Sequence, residues 1–452
     1  MVGPLLVLSL LLFAPSSEAG FKETVSETTL PNGLKVILLE NHKAPLVTFQ
    51  VWYRVGSRNE AWGKTGLSHV LEHMMFKGTK KVGSQEFSRI IQEHGGNDNA
   101  FTSQDYTAYF ENLSADHIQI PIDLESDRMQ NLVLKEEDFR TERLVVVEER
   151  RLRTEDNPQA FLGEQLEAAA FQIHPYHWPI IGWMADLERL TLDDLKEHYR
   201  TYYNPVNAFL VVVGDFKKEE LLPKIEKAFG SYPKGIPPQQ EKSKESPQVG
   251  ERRIFVKKEA QLPFLVMGYH VPNLRDPDSY VLEVIEVILS AGKSSRLYQS
   301  LVREKRLGLN VDAEYSLVSR DPNLFYLSVD LLPDKEVAEV EKALDQEIER
   351  LKREPVSKRE LEKAKNQIEA SFVFGQDSLF SQAMHLARYE ISLNWRAIDD
   401  YIPSIRKVSA EDIQRVTKHY LVPDNRTVGV LIPLPPKEGK PVPAPTREDV
   451  IR

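Results

Sequence analysis

Residues 190–215, LTLDDLKEHYRTYYNPVNAFLVVVGD, return 218 positions later as VSAEDIQRVTKHYLVPDNRTVGVLIP. Asp194 aligns with Asp412, Tyr202 with Tyr420, Pro205 with Pro423 and Asn207 with Asn425, and the apolar positions that follow stay in step. Each copy reads as a helix, a Pro-containing loop and a buried strand. The chain of 452 residues therefore resolves into two similar α+β domains from an internal duplication, each a mostly antiparallel β-sheet packed with helices. Their junction is expected in the Pro-, Gly- and charge-rich run that starts at Tyr232-Pro233-Lys234-Gly235. This sets an N-terminal domain over 20–232, a linker over 233–252, a C-terminal domain over 253–433 and a Pro-rich tail over 434–452.

The first half carries a feature that the second lacks. His69-Val70-Leu71-Glu72-His73 puts two imidazoles and a carboxylate within a turn and a half of expected helix, with Thr65 and Ser68 as candidate caps and Gly78 as a stop. Histidines four apart project from one helix face, so both rings can reach one zinc ion at about 2.0–2.1 Å with Glu72 alongside as base. The order is H-x-x-E-H, the inverse of H-E-x-x-H. Catalytic zinc takes a third protein ligand, and the acidic helix starting near Glu136 is the expected source. Glu142 and Glu149, seven apart, share a face, yet spacing alone leaves Glu142, Glu148 and Glu149 equivalent. The corresponding helix of the second half, LEVIEVIL, has Glu283 and Val287 where the histidines would be, so one zinc per chain is expected. His174-Pro175-Tyr176-His177 reads as a loop, and His270, His385 and His419 as structural or surface residues.

A net charge of −10 argues against nucleic acid as a partner. With no cysteine, disulfides, thiolate ligands and a lipidated cysteine are excluded. Leu5 to Phe13 is an apolar run too short to span a bilayer, and Ser17-Glu18-Ala19 fits a cleavage site before Gly20. Residues 1–19 are thus expected to be a signal peptide, and the mature protein to be secreted, in the periplasm, although no Lys or Arg precedes the apolar run.

Five segments, GSRNEAWGKTGLSHVLEHMMFKGT, GGNDNAFTSQDYTAYFENL, ERLVVVEERR, HPYHWPIIGW and YYNPVNAFLVVVGD, resemble the pitrilysin/insulinase family of zinc metallopeptidases, in the family's order across residues 56–214. The likeness is to its shorter bacterial subunits similar to mitochondrial processing peptidase. It implies His69, His73 and Glu149 as zinc ligands, Glu72 as the base that activates the zinc-bound water, and Glu142 as a supporting acid behind the ligands. It also implies that Asn99, Ala100 and Phe101 lie on an edge strand that binds extended peptide by strand addition. Read without the resemblance, NAFTSQDYTAYF is an ordinary alternating strand, with Phe101, Tyr106 and Tyr109 serving the fold.

In the second half the family's Arg, followed seven residues later by Tyr, is matched by Arg303 but by Asn310 in place of the Tyr. An Asn lacks the phenol's reach and acidity. The resemblance then implies a heterodimer in which a sister subunit supplies the Arg/Tyr pair, with a homodimer as the alternative. Three functions follow in order: a zinc endopeptidase acting on extended peptides or unfolded segments, a non-catalytic assembly subunit of a pitrilysin-like heterodimer, and a metal carrier.

Overall fold

A computed structural model describes residues 20–435, so the expected signal peptide over 1–19 and nearly all of the expected tail over 434–452 lie outside the described residues. The strands are β1 (Val25–Thr29), β2 (Lys35–Glu40), β3 (Leu46–Tyr53), β4 (Asn97–Thr102), β5 (Thr107–Ser114), β6 (Ala208–Gly214), β7 (Arg252–Glu259), β8 (Phe264–Val271), β9 (Gly308–Glu314), β10 (Asn323–Leu331) and β11 (Arg426–Leu434). They form two sheets, ordered β1-β2-β6-β3-β5-β4 and β7-β11-β8-β10-β9. Each is antiparallel except for one parallel pair, β2 with β6 and β7 with β11. The helices that frame the sheets and the site are α1 (Leu67–Met74), α2 (Glu136–Arg150), α3 (Pro158–Ala170), α4 (Leu192–Tyr202), α5 (Asp278–Ser290), α6 (Lys358–Gly375), α7 (Leu379–Ser392) and α8 (Ala410–Tyr420).

The repeat is visible at the level of single hydrogen bonds. Thr191 and Asp194 close a reciprocal cap at the start of α4, and Ser409 and Asp412 close the same cap at the start of α8. Each helix then turns through a short 3-10 segment into a buried strand, β6 or β11. Asn207 and Asn425 repeat a further contact, each donating from Nδ2 to a Tyr carbonyl five residues back, Tyr202 and Tyr420.

Each half has its own core, but the halves also exchange helices. From the first half, α3 lays Leu162 and Leu166 on the second sheet against Val266, Leu324 and Leu431. Gly268 and Gly429 make room for it, since a Cβ at either position would come within 3.0–3.1 Å of those leucines. From the second half, α7 sets Ala383, Leu386 and Ala387 against Ile37, Trp52, Phe209 and Val211 of the first sheet. Buried leucines of this kind cost about 2–5 kcal/mol when cut to Ala, so the two halves are strongly tied. Polar bridges reinforce the tie: Glu390 takes Lys35 and Arg54 at 2.7 Å each, and Arg58 reaches Asp321 at 2.5 Å.

Candidate metal centre

Helix α1 forms where its apolar pattern predicts, with Leu67, Val70, Leu71 and Met74 buried. Its cap differs from the expected one. The chain enters through Gly66 at φ 90°, and the helix-starting amides of Gly66 and Ser68 donate to the Glu60 carboxylate at 2.6 and 2.7 Å. Thr65 instead donates its hydroxyl to Asp186, and Ser68 Oγ meets His198 of α4 at 3.1 Å. Glu60, pushed up to about 8 by burial against the lowering bonds from these amides, satisfies two orphan donors at once, which the nearer hydroxyls do not. Glycine is required at this entry: a Cβ on Gly182 would lie 2.5 Å from the Gly66 Cα. The helix ends at Met74, one turn before Gly78, which sits at φ 97° in the following turn.

Helix α2 packs across α1 and delivers Glu149. The nitrogens of His69 and His73 and a carboxylate oxygen of Glu149 all lie within 4.8 Å of one another. Glu149 Oε2 is 3.6 Å from His69 Nε2 and 3.4 Å from His73 Nε2. Four ligands at about 2.0–2.1 Å around a tetrahedral ion are about 3.3–3.4 Å apart, so these spacings match the edge of a zinc tetrahedron. The donor set of two imidazoles and one carboxylate leaves a fourth position open, the pattern of catalytic zinc sites. Glu148, equivalent to Glu149 by spacing, instead pairs with Arg151 on the exposed side of α2.

The electrostatics of the three groups differ. Burial, aided by His73, pushes His69 down to about 4, keeping it neutral. Burial opposes ionisation of Glu149, but His73, His69 and Arg153 outweigh it and hold the carboxylate down to about 2. For His73, burial is outweighed by Glu149, Glu72 and Glu142, which raise it. Glu142 lies behind His73, its Oε2 3.2 Å from Nδ1, and Lys77 holds its other oxygen at 2.5 Å. Such a partner fixes the ring so that Nε2 faces the site. Arg153 binds Glu149 Oε1 at 3.1 Å and leaves Oε2 turned toward the imidazoles. Neither Lys77, just past α1, nor Arg153, on the π-helical turn after α2, could be assigned from the sequence, because a Lys or Arg outside any local motif has many possible carboxylate partners.

Glu72 is raised by burial against the opposing bond from Thr102, whose Oγ1 donates to Glu72 Oε2 at 2.5 Å. Thr102 ends β4, the free edge of the first sheet. Ala100 and Thr102 face α1, while Phe101 lies on the other face among Trp52, Tyr106 and Phe110. Asn99 alternates to that second face, exposed, with its Oδ1 accepting from the Ala100 amide at 2.9 Å. Tyr109 bonds Tyr203 at 2.8 Å in the core, as a fold residue does.

The second half supplies none of this cluster. Arg303 is exposed on the π-helical turn Tyr298–Glu304, and Asn310 on β9 donates to Asp330 at 3.1 Å. Asp330 in turn accepts from Gln159 of α3 at 2.5 Å, so Asn310 belongs to the inter-domain bonding. His174 bridges to Asp321 at 3.2 Å, His270 to the Ala170 carbonyl at 3.1 Å, and His385 stacks on Phe372. These are structural roles, as expected for loop and core histidines.

Residues 35–182 match the family described as "Insulinase (Peptidase family M16)", and residues 189–368 match "Peptidase M16 inactive domain". Among curated proteins the chain is 34% identical over 412 residues to "Zinc protease PqqE" of Helicobacter pylori, covering 90% of this chain and 92% of that protein. A protease structure from Helicobacter pylori superposes with a TM-score of 0.87 at 33% identity, over 90% of this chain and 99% of that one. The periplasmic protease PqqL of Escherichia coli shares the fold, with a TM-score of 0.75 at 17% identity; 91% of this chain is covered but 48% of PqqL. Among the described residues no helix is long and apolar enough to cross a membrane.

Proposed function

Because the chain belongs to the M16 (insulinase) peptidase family, we infer that it is a zinc-dependent endopeptidase whose ion is held by His69, His73 and Glu149. The observation that carries this reading is the convergence of Glu149 Oε2 on both imidazoles at zinc-tetrahedron spacing, with Glu72 on the same helix. Zinc, when bound, supplies a water of pKa near 7 and polarises the carbonyl to be cleaved. Glu72 then takes the proton from the attacking water and hands it to the leaving amine, a transfer worth about 10²–10⁴-fold. Glu142 keeps His73 oriented, and Arg153 keeps Glu149 turned inward. The free edge of β4 receives an extended peptide by strand pairing, and Asn99, Ala100 and Phe101 line it. An edge of this kind favours unfolded segments over folded proteins.

Zinc at one ion per chain, secretion to the periplasm through residues 1–19, and the domain limits given above are parts of the same reading. So is pairing with a sister subunit that provides the Tyr absent at Asn310, or, where Asn310 is no defect, with a second copy of this chain. Arg303 is assigned only an auxiliary part, since it is exposed and bonded to none of the cluster. The assembly-subunit alternative draws on the inactive-domain match, but that match covers the half whose helix lacks the histidines.

The test is hydrolysis of quenched-fluorescent peptides by the zinc-loaded chain from Gly20, alone and mixed with a sister subunit. Cleavage that Glu72→Gln abolishes while zinc is retained supports the reading. Bound zinc with no cleavage in either mixture contradicts it.

A further inference from the structure

Glu72 is a long, half-buried side chain on α1, with three torsions to restrain, and a proton-transferring carboxylate must be held within about 0.5 Å of its working position. Among the described residues, the hydroxyl of Thr102 is the one side-chain hydrogen-bond partner of Glu72. At 2.5 Å it falls in the range of charge-assisted O–H···O⁻ bonds. The bond occupies Oε2 and leaves Oε1 as the oxygen open to the reacting water. Thr102 is not needed to complete the strand, whose pairing with β5 is made by backbone groups opposite Thr107. Its hydroxyl is directed at α1 because β4 alternates, placing Ala100 and Thr102 on the helix side. The preceding residues 99–101 form the expected peptide-binding edge, so one hydroxyl joins that edge to the base.

We propose that Thr102 is a positioning residue for Glu72: its hydroxyl fixes the carboxylate for proton transfer and mechanically joins the substrate strand to the base. This rests on the peptidase reading above. It predicts a defect in turnover rather than in peptide or metal binding, because neither the β4 edge nor the ligand set depends on the hydroxyl.

The experiment compares wild type, Thr102→Val and Thr102→Ser, alone or with a sister subunit, for kcat, KM and zinc content. Val keeps shape and strand propensity without the donor, and Ser keeps the donor. Thr102→Val is expected to lower kcat about 10- to 100-fold, as misplacement of a reacting group by about 1 Å does, with KM and zinc within about 2-fold of wild type. Thr102→Ser is expected to stay within about 3-fold of wild type in kcat. A readout independent of turnover comes from labelled-peptide binding to Glu72→Gln, with and without Thr102→Val, where equal affinity is expected. Unchanged kcat in Thr102→Val, lost zinc, weakened peptide binding, or a Ser variant as impaired as Val would each overturn the proposal. An active wild type with any of those results sinks only this assignment, whereas a zinc-loaded wild type that cleaves nothing sinks the peptidase reading and this one with it.

Discussion

Helices α1 and α5 occupy matching places in the two halves, each buried on its sheet and packed against a long helix, α2 or α6. Position by position, 214 residues apart, Val70 becomes Val284, Leu71 becomes Ile285 and Met74 becomes Ile288, so the buried faces are interchangeable. The polar positions are not. His69 becomes Glu283, His73 becomes Val287, and Glu72 is kept as Glu286. Glu286 even accepts a backbone bond from Tyr315 just beyond β9, the counterpart of the Thr102 link to β4. On the neighbouring helix, α2 turns Glu149 inward, whereas α6 has the exposed Ser371 at the same distance from its start. The scaffold is therefore independent of the polar set: packing needs the apolar face, whereas a metal centre needs particular donors on two helices at once.

The differing polar positions have opposite electrostatic consequences. Around α1, imidazoles and Arg153 keep Glu149 ionised. Around α5, burial pushes Glu283 up to about 7, with Tyr401 bonding its carboxylate. Burial, with Glu283 and Glu314 nearby, pushes Glu286 up to about 9. One half holds an ionised carboxylate between two imidazoles, and in the other burial raises both carboxyls.

The largest effect that separates the two helices is on turnover. Glu72→Gln should cut kcat by about 10²–10⁴-fold, whereas Glu286→Gln should leave kcat and KM unchanged in the same peptide assay. Next comes metal affinity. Glu142→Gln removes the acceptor behind His73 and should weaken zinc about 10- to 100-fold, read by competition with a chelating dye. Smaller is the pH dependence of stability. A carboxyl whose folded pKa is raised contributes stability that is present below its unfolded value near 4.5 and lost as pH rises through the folded value. The midpoint of thermal unfolding should therefore fall between about pH 5 and 9, and Glu286→Gln should flatten the upper part of that fall. Arg388, Tyr315 and Tyr401 also face the Glu283–Glu286 pair and modulate its size.

What the sequence revealed follows the same division. The repeat, the two α+β halves and helices α1, α2, α4 and α8 were legible because periodicity encodes them, and at α4 and α8 local capping boxes do so as well. His69 and His73 were legible because their spacing is intrahelical, and Glu149 needed the family resemblance to separate it from Glu148 and Glu142. The exchanged helices α3 and α7, the Glu60 cap and the Thr102–Glu72 bond were not legible. Each is a contact between segments joined by no local pattern, and at the α1 entry the nearest hydroxyls, Thr65 and Ser68, suggested the wrong partner.

If one half is built for zinc and the other is not, metal analysis of the purified chain will show it. Wild type should carry one zinc per chain, Glu149→Ala close to none, and Glu283→His with Val287→His still one, since Ser371, as far into α6 as Glu149 is into α2, is no zinc ligand. Zinc absent from wild type, retained fully by Glu149→Ala, or doubled by the two added histidines would rule out that division between the halves.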